Sequence, residues 1–166
     1  MGYTGMTWSG FRPSDDACCY GYNIPAQFMA MRAVRQIREF CCIWDDEDLA
    51  ERAAKLADEI DAGVRQFGIV NDHFAYEVDG LGSVLEMDDA NMPSLLSLPL
   101  TSDLGRGHPL YQSTRKWVLS AANPYLFSGP AARGIGSPHS PAGYIWHIGL
   151  ACLLYTSDAA DDLLCV

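Results

Sequence analysis

Two long stretches of helical periodicity, separated by only a few residues, constrain the fold more than any other feature of this chain. The first covers residues 25–44 and begins behind Asn23, which can cap a helix. The second takes Asp45 or Asp46 as its cap, carries acids in its first turn and ends at Gly68. Two amphipathic helices this close together predict a packed helix pair.

Beyond this pair the pattern becomes more varied. Residues 69–91 read as short extended pieces and predict a β-hairpin. We expect a short third helix after Asn91 with Pro93 near its start, a fourth over residues 111–121, and a fifth beginning near Tyr144. The sequence shows no series of alternating strands and helices, which argues against a doubly wound sheet or a β/α barrel. The expected fold class is therefore all-α with a small β-hairpin excursion.

Composition sets limits on the partners of the chain. A length of 166 residues suits one domain, and the formal net charge of −10 argues against nucleic acid or an anionic membrane as a partner. No apolar run has the length of a membrane span, and no signal peptide is visible at the start of the sequence. Neutral or cationic ligands remain open, and a cytoplasmic location is the expectation.

The six cysteines favour neither a metal site nor a disulfide framework. They are Cys18, Cys19, Cys41, Cys42, Cys152 and Cys165. Because adjacent pairs lack the CxxC spacing of a zinc site, we expect free thiols, which favours a reducing compartment. The sequence also lacks the short motifs of phosphate-binding loops, α/β-hydrolases and zinc hydrolases. The expectation is therefore a protein with no metal and no cofactor.

A short loop ahead of the first helix gathers residue types that act on sugars. Residues 8–17 contain Trp8, Arg12, Asp15 and Asp16, and the Pro and Gly among them forbid regular structure. A guanidinium beside two carboxylates can hold one ionised and leave the other to carry a proton, which lets the two acids divide their roles. The alternative is a simple polar turn.

A second group of carboxylates lies in and after the predicted hairpin. Its members, with one amide, are Glu77, Asp79, Glu86, Asp88, Asp89 and Asn91. Such carboxylates can accept hydrogen bonds from sugar hydroxyls. The run from Asp88 to Asn91 has an equally simple interpretation as a helix cap.

The third polar motif is a Gly-rich loop, residues 134–139, which ends at His139. A lone histidine is more often structural than catalytic. Aromatic residues accompany this loop and the first one, namely Tyr144, Trp146, Trp8, Tyr20 and Tyr22. Their rings can stack on a sugar or pack in the core.

The three motifs share a position relative to the helices. Asp16, Asp89 and His139 each precede a predicted helix start. In an array of antiparallel helix pairs, alternate helix N-termini lie at the same end, so the three loops should converge on one rim. This is the layout of an α/α toroid with a site in its mouth.

Six motifs in collinear order resemble glycoside hydrolase family 125. They are MTWSGFRPSDDA (6–17), YGYNIP (20–25), YEVDG (76–80), MDDANMPSLL (87–96), NPY (123–125) and GIGSPH (134–139). The resemblance spans residues 5–148 and departs from the usual family residues at His147 and around Gln27. It implies an exo-acting α-1,6-mannosidase, here as an incomplete (α/α)6 barrel, that takes mannose-containing oligosaccharides.

The resemblance also implies an inverting hydrolysis by a carboxylic acid and a distant carboxylate base. It places the general acid at Asp16, favoured narrowly over Asp15. The residues expected to bind substrate are Arg12, Trp8, Tyr22, Glu77, Asp88, Asp89, Asn91, His139 and Trp146. The family base is a Glu in a motif resembling Met-His-Glu-Ser-Phe, which this sequence lacks, so we expect the fragment to be inactive. The alternative is a noncatalytic carbohydrate-binding or scaffold domain of α/α type.

The end of the chain has a different character from the rest. Residues 152–161 can be back-translated into a nucleotide run that resembles the transposon end and adapter of sequencing libraries. We therefore expect residues 1–151 to be a partial catalytic domain and residues 152–166 to be a non-native tail. The alternative is a short acidic helix capped at Ser157.

Overall fold

The computed structural model describes residues 1–147, in which four helices combine with three small antiparallel sheets. The helices are α1 (Ile24–Ile43), α2 (Glu47–Phe67), α3 (Leu98–Thr101) and α4 (Pro109–Val118). The strands are β1 (Tyr22–Asn23), β2 (Ile69–Val70), β3 (His73–Phe74), β4 (Glu77–Val78), β5 (Val84–Leu85), β6 (Leu126–Ser128) and β7 (Arg133–Ile135). The architecture is mixed, so the all-α expectation is met only in part, and the described residues close no barrel.

The helix pair at the start of the chain is confirmed. Helices α1 and α2 pack against each other, with a short connection between them. The side chain of Asn23 accepts a hydrogen bond from the amide of Ala26 at 3.1 Å, and Asp46 accepts one from Leu49 at 3.0 Å. These contacts satisfy amides that have no partner within the helix, which is why both helices begin where the sequence predicts.

Short strands bring distant parts of the chain next to the start of α1. Strand β1 pairs with β4, which sets Asn23 opposite Glu77, and β4 pairs with β5 in a hairpin. Strands β2 and β3 form a second hairpin, so the predicted single hairpin is in fact two. The sheet of β1, β4 and β5 therefore fixes the first loop against residue 77.

The core lies between α1, α2 and the residues that follow the hairpins. Its most deeply buried apolar side chains are Ile24, Ile60, Tyr76, Val78, Leu95, Leu98, Val118 and Ile135. The second half of the predicted α1 stripe is different, because Ile37 is 45% exposed and Trp44 is 73% exposed. Cys41, which lies between them on the same stripe, is 2% exposed, so this half of the helix face is only partly covered within residues 1–147. None of the described helices is both long enough and apolar enough to span a membrane.

The third predicted helix needs correction. Residues 91–97 form bends and turns, and α3 begins only at Leu98. The carboxylate of Asp88 accepts hydrogen bonds from the amides of Leu95 and Leu96, and this local bonding competes with a helix. The fifth helix was expected to begin near Tyr144; residues 144–146 are not helical, and His147 is. The rest of that predicted helix and the whole predicted tail lie outside the described residues.

Candidate active site

The first loop is a tight hairpin that separates its two adjacent acids. Phe11 and Ala17 form a β-bridge, and the amide of Arg12 donates to the carbonyl of Asp16 at 2.8 Å. At the turn, Asp15 adopts a left-handed φ of 67°. This backbone leaves the Asp15 side chain exposed, whereas the side chain of Asp16 is only 30% exposed.

Two polar side chains hold the carboxylate of Asp16. The Nδ1 atom of His139 lies 3.1 Å from Oδ1, and the hydroxyl of Ser14 donates to Oδ2 at 2.9 Å. Partial burial tends to raise the pKa of Asp16, but the hydrogen bonds from His139 and Ser14, with the charges of His139 and Arg12, lower it overall. The first loop and the loop of residues 134–139 therefore meet at this carboxylate.

Behind this loop lies a buried ion pair. The guanidinium Nε of Arg12 is 2.5 Å from Oε1 of Glu77, and their side chains are 7% and 0% exposed. The second carboxylate oxygen of Glu77 accepts the amides of Cys19 at 2.8 Å and Tyr20 at 3.0 Å. Arg12 also lies over the ring of Tyr76, 5.8 Å from its centre. Glu77 therefore holds the first loop in place from within, and no part of it reaches the surface.

Asp88 is likewise buried, at 0% exposure. Its Oδ1 accepts the amide of Leu95 at 2.8 Å, and its Oδ2 accepts that of Leu96 at 3.0 Å. Burial raises the pKa of Asp88 to about 7, although these backbone hydrogen bonds oppose the rise. The main-chain amide of Asp88 donates to Asn123 at 3.2 Å. Because both oxygens of Asp88 accept main-chain amides, these contacts fit the capping interpretation better than a role in sugar binding.

Asp89 connects the second motif to the third. It is 0% exposed, and its Oδ1 accepts the main-chain amide of Asn91 at 2.9 Å and its side-chain amide at 2.7 Å. The hydroxyl of Ser137 donates to Oδ2 of Asp89 at 3.2 Å and accepts the amide of His139 at 3.1 Å. Because His139 also contacts Asp16, the three loops converge on one place, as the sequence predicts.

The aromatic residues divide between surface and interior. Trp8 is 66% exposed and lies so close over Gly21 that an added Cβ there would meet the indole at 2.4 Å. Tyr22 is buried, and its hydroxyl donates to the carbonyl of Gly2 at 2.9 Å. Trp146 is partly buried and donates to Ser140 at 2.9 Å. Of the three aromatic residues expected to contact substrate, Trp8, in the first loop, is therefore the one that is exposed.

Two other predicted carboxylates serve local structure. Asp79 accepts the amides of Leu81 and Ser83 in the turn between β4 and β5, and these bonds lower its pKa. Glu86 lies 2.9 Å from the buried imidazole of His73. Within residues 1–147 no group of three or more His, Cys, Asp or Glu side chains is arranged to hold a metal ion.

Three polar residues of the site escaped the sequence-based assignment. Ser14 and Ser137 make the contacts described above. Gln27 is 0% exposed, and its Oε1 accepts the amide of Thr7 at 2.8 Å, which ties the first loop to α1. All three lie in or beside the motifs that carry the resemblance. All three are uncharged, which is why the search for charged and aromatic residues passed over them.

Three comparisons with known proteins agree with one another. A family model described as metal-independent alpha-mannosidase (GH125) matches residues 1–165. The meiotically up-regulated gene 157 protein of Schizosaccharomyces pombe is 43% identical over a match of 163 residues, and the match covers 94% of this chain and 32% of that protein. A solved structure of a metal-independent alpha-mannosidase from Streptococcus pneumoniae, a non-productive complex with alpha-1,6-mannobiose, matches with a TM-score of 0.88 at 39% identity. That match covers 93% of this chain and 38% of the other, so the chain spans about a third of the length of these relatives.

Proposed function

Because this chain belongs to the GH125 family of metal-independent alpha-mannosidases, we propose that it is part of an exo-acting α-1,6-mannosidase. The enzyme releases terminal mannose from α-mannosides, such as chains derived from N-glycans, with inversion of configuration. It does so in the mouth of an (α/α)6 barrel, of which this chain supplies a portion. The single observation that carries the proposal is the convergence of three loops on Asp16 in a chain of this family.

We assign Asp16 as the general acid. An inverting hydrolase needs a carboxylic acid that protonates the glycosidic oxygen while a second carboxylate activates water from the other side of the ring. Asp16 is open on one side and held by Ser14 and His139 on the other, so its orientation is defined. Asp15, on the exposed turn, lacks this support in the described structure.

The protonation of Asp16 requires explanation, since its pKa is lowered in this chain. A general acid works best when its pKa lies near the working pH. This chain spans about a third of its relatives, and in the longer enzyme further burial and a facing carboxylate would both raise the pKa of Asp16. The lowered pKa of Asp16 therefore applies to this chain alone, in which the side chain is partly open to solvent.

The general base comes from elsewhere in the longer enzyme. Glu77 has both oxygens committed to Arg12 and to two amides, and Glu86 is engaged by His73. Neither can activate a water opposite Asp16 while these contacts hold. The chain by itself is therefore expected to be inactive.

Sugar binding falls mainly to the open part of the site. Trp8 offers an exposed ring in the first loop. Glu77, Asp88 and Asp89 are fully buried, so they support the loops that carry the open residues.

The test compares this chain with the full-length protein on an α-1,6-linked mannobioside, with the first product anomer followed by NMR. We expect release of β-mannose by the full-length protein and no turnover by this chain. Turnover by the chain would place the base within it. Sugar binding by the full-length protein without any turnover would favour the alternative, a noncatalytic carbohydrate-binding or scaffold domain.

A further inference from the structure

His139 is bound to Asp16 across a separation of 123 residues in the sequence. The contact joins Nδ1 to Oδ1 at 3.1 Å, and the two side chains are 50% and 30% exposed. Ser14 occupies the other oxygen of the same carboxyl, at 2.9 Å. The sequence pointed to His139 as a sugar contact, whereas the geometry directs its Nδ1 at the acid.

We propose that His139 is a positioning residue for the general acid, and that its Nδ1–H donates to Oδ1 so that Oδ2 carries the proton given to the substrate. This proposal rests on the function proposed above. It follows from what each neighbour can do. A Ser hydroxyl can donate or accept, so Ser14 is compatible with either a bare or a protonated Oδ2. A neutral imidazole protonated at Nδ1 can only donate to Oδ1.

The resulting step balances. The bond between Oδ2 and its proton breaks as the proton bonds to the glycosidic oxygen, which leaves with the electron pair of the broken sugar bond. A water that the general base of the longer enzyme deprotonates bonds to the sugar carbon from the opposite face. Asp16 becomes a carboxylate. Ser14 can then turn its hydroxyl hydrogen toward Oδ2, while the Nδ1–H of His139 continues to donate to Oδ1. The negative charge that forms on Asp16 is thus met by donors already in place.

A buried network keeps His139 in this position. Its main-chain amide donates to Ser137, whose hydroxyl donates to Asp89, which is itself fixed by Asn91. Ser137 and Asp89 are 1% and 0% exposed, so the anchor of the loop is shielded from water. Of the charged groups in the described structure, His139 and Arg12 are those that act on Asp16. Arg12 is paired with Glu77, whereas His139 contacts the carboxyl group of Asp16 directly.

The first test uses this chain and does not depend on activity. Long-range proton–nitrogen NMR distinguishes the two neutral tautomers of a histidine, and His139→Asn assigns the resonance. We expect the Nδ1–H tautomer in the wild type and a return to the commoner Nε2–H tautomer in Asp16→Ala. An Nε2–H tautomer in the wild type, or a tautomer that ignores Asp16→Ala, would overturn the proposal.

The second test uses the full-length enzyme and varies the leaving group. His139→Ala should lower kcat on the mannobioside by about 10²-fold, the scale of general acid catalysis, because the sugar leaving group needs the proton. On a dinitrophenyl α-mannoside, whose leaving group departs without a proton, the change should be small. His139→Asn, which keeps a donor near the place of Nδ1, should restore much of the loss. His108→Asn, at an exposed histidine ahead of α4, is the matched control.

Equal losses on both substrates would overturn the positioning role. A rise in KM with unchanged kcat would make His139 a sugar contact instead. If the wild-type enzyme hydrolyses neither substrate, the proposed function fails and the catalytic role fails with it. The tautomer measurement then still decides whether the contact with Asp16 has the proposed form.

Discussion

The carboxylates of the open rim and those of the interior are built from the same residue types but do different work. Asp16 keeps 30% of its side chain exposed and has two side-chain partners. Glu77, Asp88 and Asp89 have no exposure, and each accepts hydrogen bonds at both carboxylate oxygens. A buried carboxylate without such partners would be costly. The comparison teaches that motif membership does not distinguish a reacting acid from one that holds the loops.

The largest expected effect is on the open rim. In the full-length enzyme, Asp16→Asn should lower kcat on the mannobioside by about 10² to 10⁴-fold, because a carboxamide cannot give up the required proton. Mannose binding and the free energy of unfolding should change little. Steady-state kinetics and a binding titration measure the two parts separately.

Asp15→Asn provides the matched control for this prediction. It changes the same group one residue away, on the exposed turn. A large loss of kcat in Asp15→Asn with none in Asp16→Asn would exchange their roles. A similar loss in both would break the contrast between an open reacting acid and its exposed neighbour.

The next largest effect concerns stability and falls on the buried pair. Glu77→Ala leaves the guanidinium of Arg12 buried without its partner, which typically costs about 3–5 kcal/mol. Urea unfolding of this chain measures the change. Asp61→Ala is the control, because it breaks the solvent-exposed pair with Arg65 and should cost far less stability. Equal small losses would mean that Glu77 does not hold the loop.

A smaller effect follows from the titration of Asp88. Burial raises its pKa from 3.8 to about 7, so between these values the folded chain keeps a proton that the unfolded chain has released. The free energy of unfolding should therefore fall as the pH rises from 4 to 7. Asp88→Asn should flatten this decline. Near pH 4 it should lower the free energy of unfolding by about 1–3 kcal/mol, since an Asn side chain has one oxygen to accept the two main-chain amides instead of two. Unfolding in urea at several pH values tests both parts, and a slope unchanged in the variant would contradict the assignment.

The sequence predicted the parts of this molecule that depend on local pattern. Helices α1 and α2 follow from their periodicity and caps. The sequence also predicted that the loops of Asp16 and His139 meet, although residues 144–146, where the next helix was expected to begin, are not helical. The helix expected after Asn91 does not form, because the amides of Leu95 and Leu96 donate to the carboxylate of Asp88. Helix propensity depends on nearby residues and does not include a contact seven or eight residues away. The burial of Glu77 could not be predicted from the sequence either, since the alternating pattern of β4 gives no sign that this side chain lies in the interior.

The smallest predicted effect concerns pH: the contributions of Asp16 and Asp88 to the free energy of unfolding change in opposite directions as the pH rises. The pKa of Asp16 lies below 3.8, so this residue favours folding at neutral pH, and that contribution is lost as the pH falls through the folded-state value. This is opposite to Asp88, whose pKa is raised. His139→Asn removes a side chain that can carry a positive charge, which favours the ionised carboxylate. The titration midpoint of Asp16 should therefore move upward, as followed by carbon NMR of its carboxyl group in this chain. His108→Asn should leave the midpoint unchanged. An Asp16 midpoint that is indifferent to His139→Asn would mean that the contact between the two loops does not set the charge of the acid, and the contrast with the interior would then rest on burial alone.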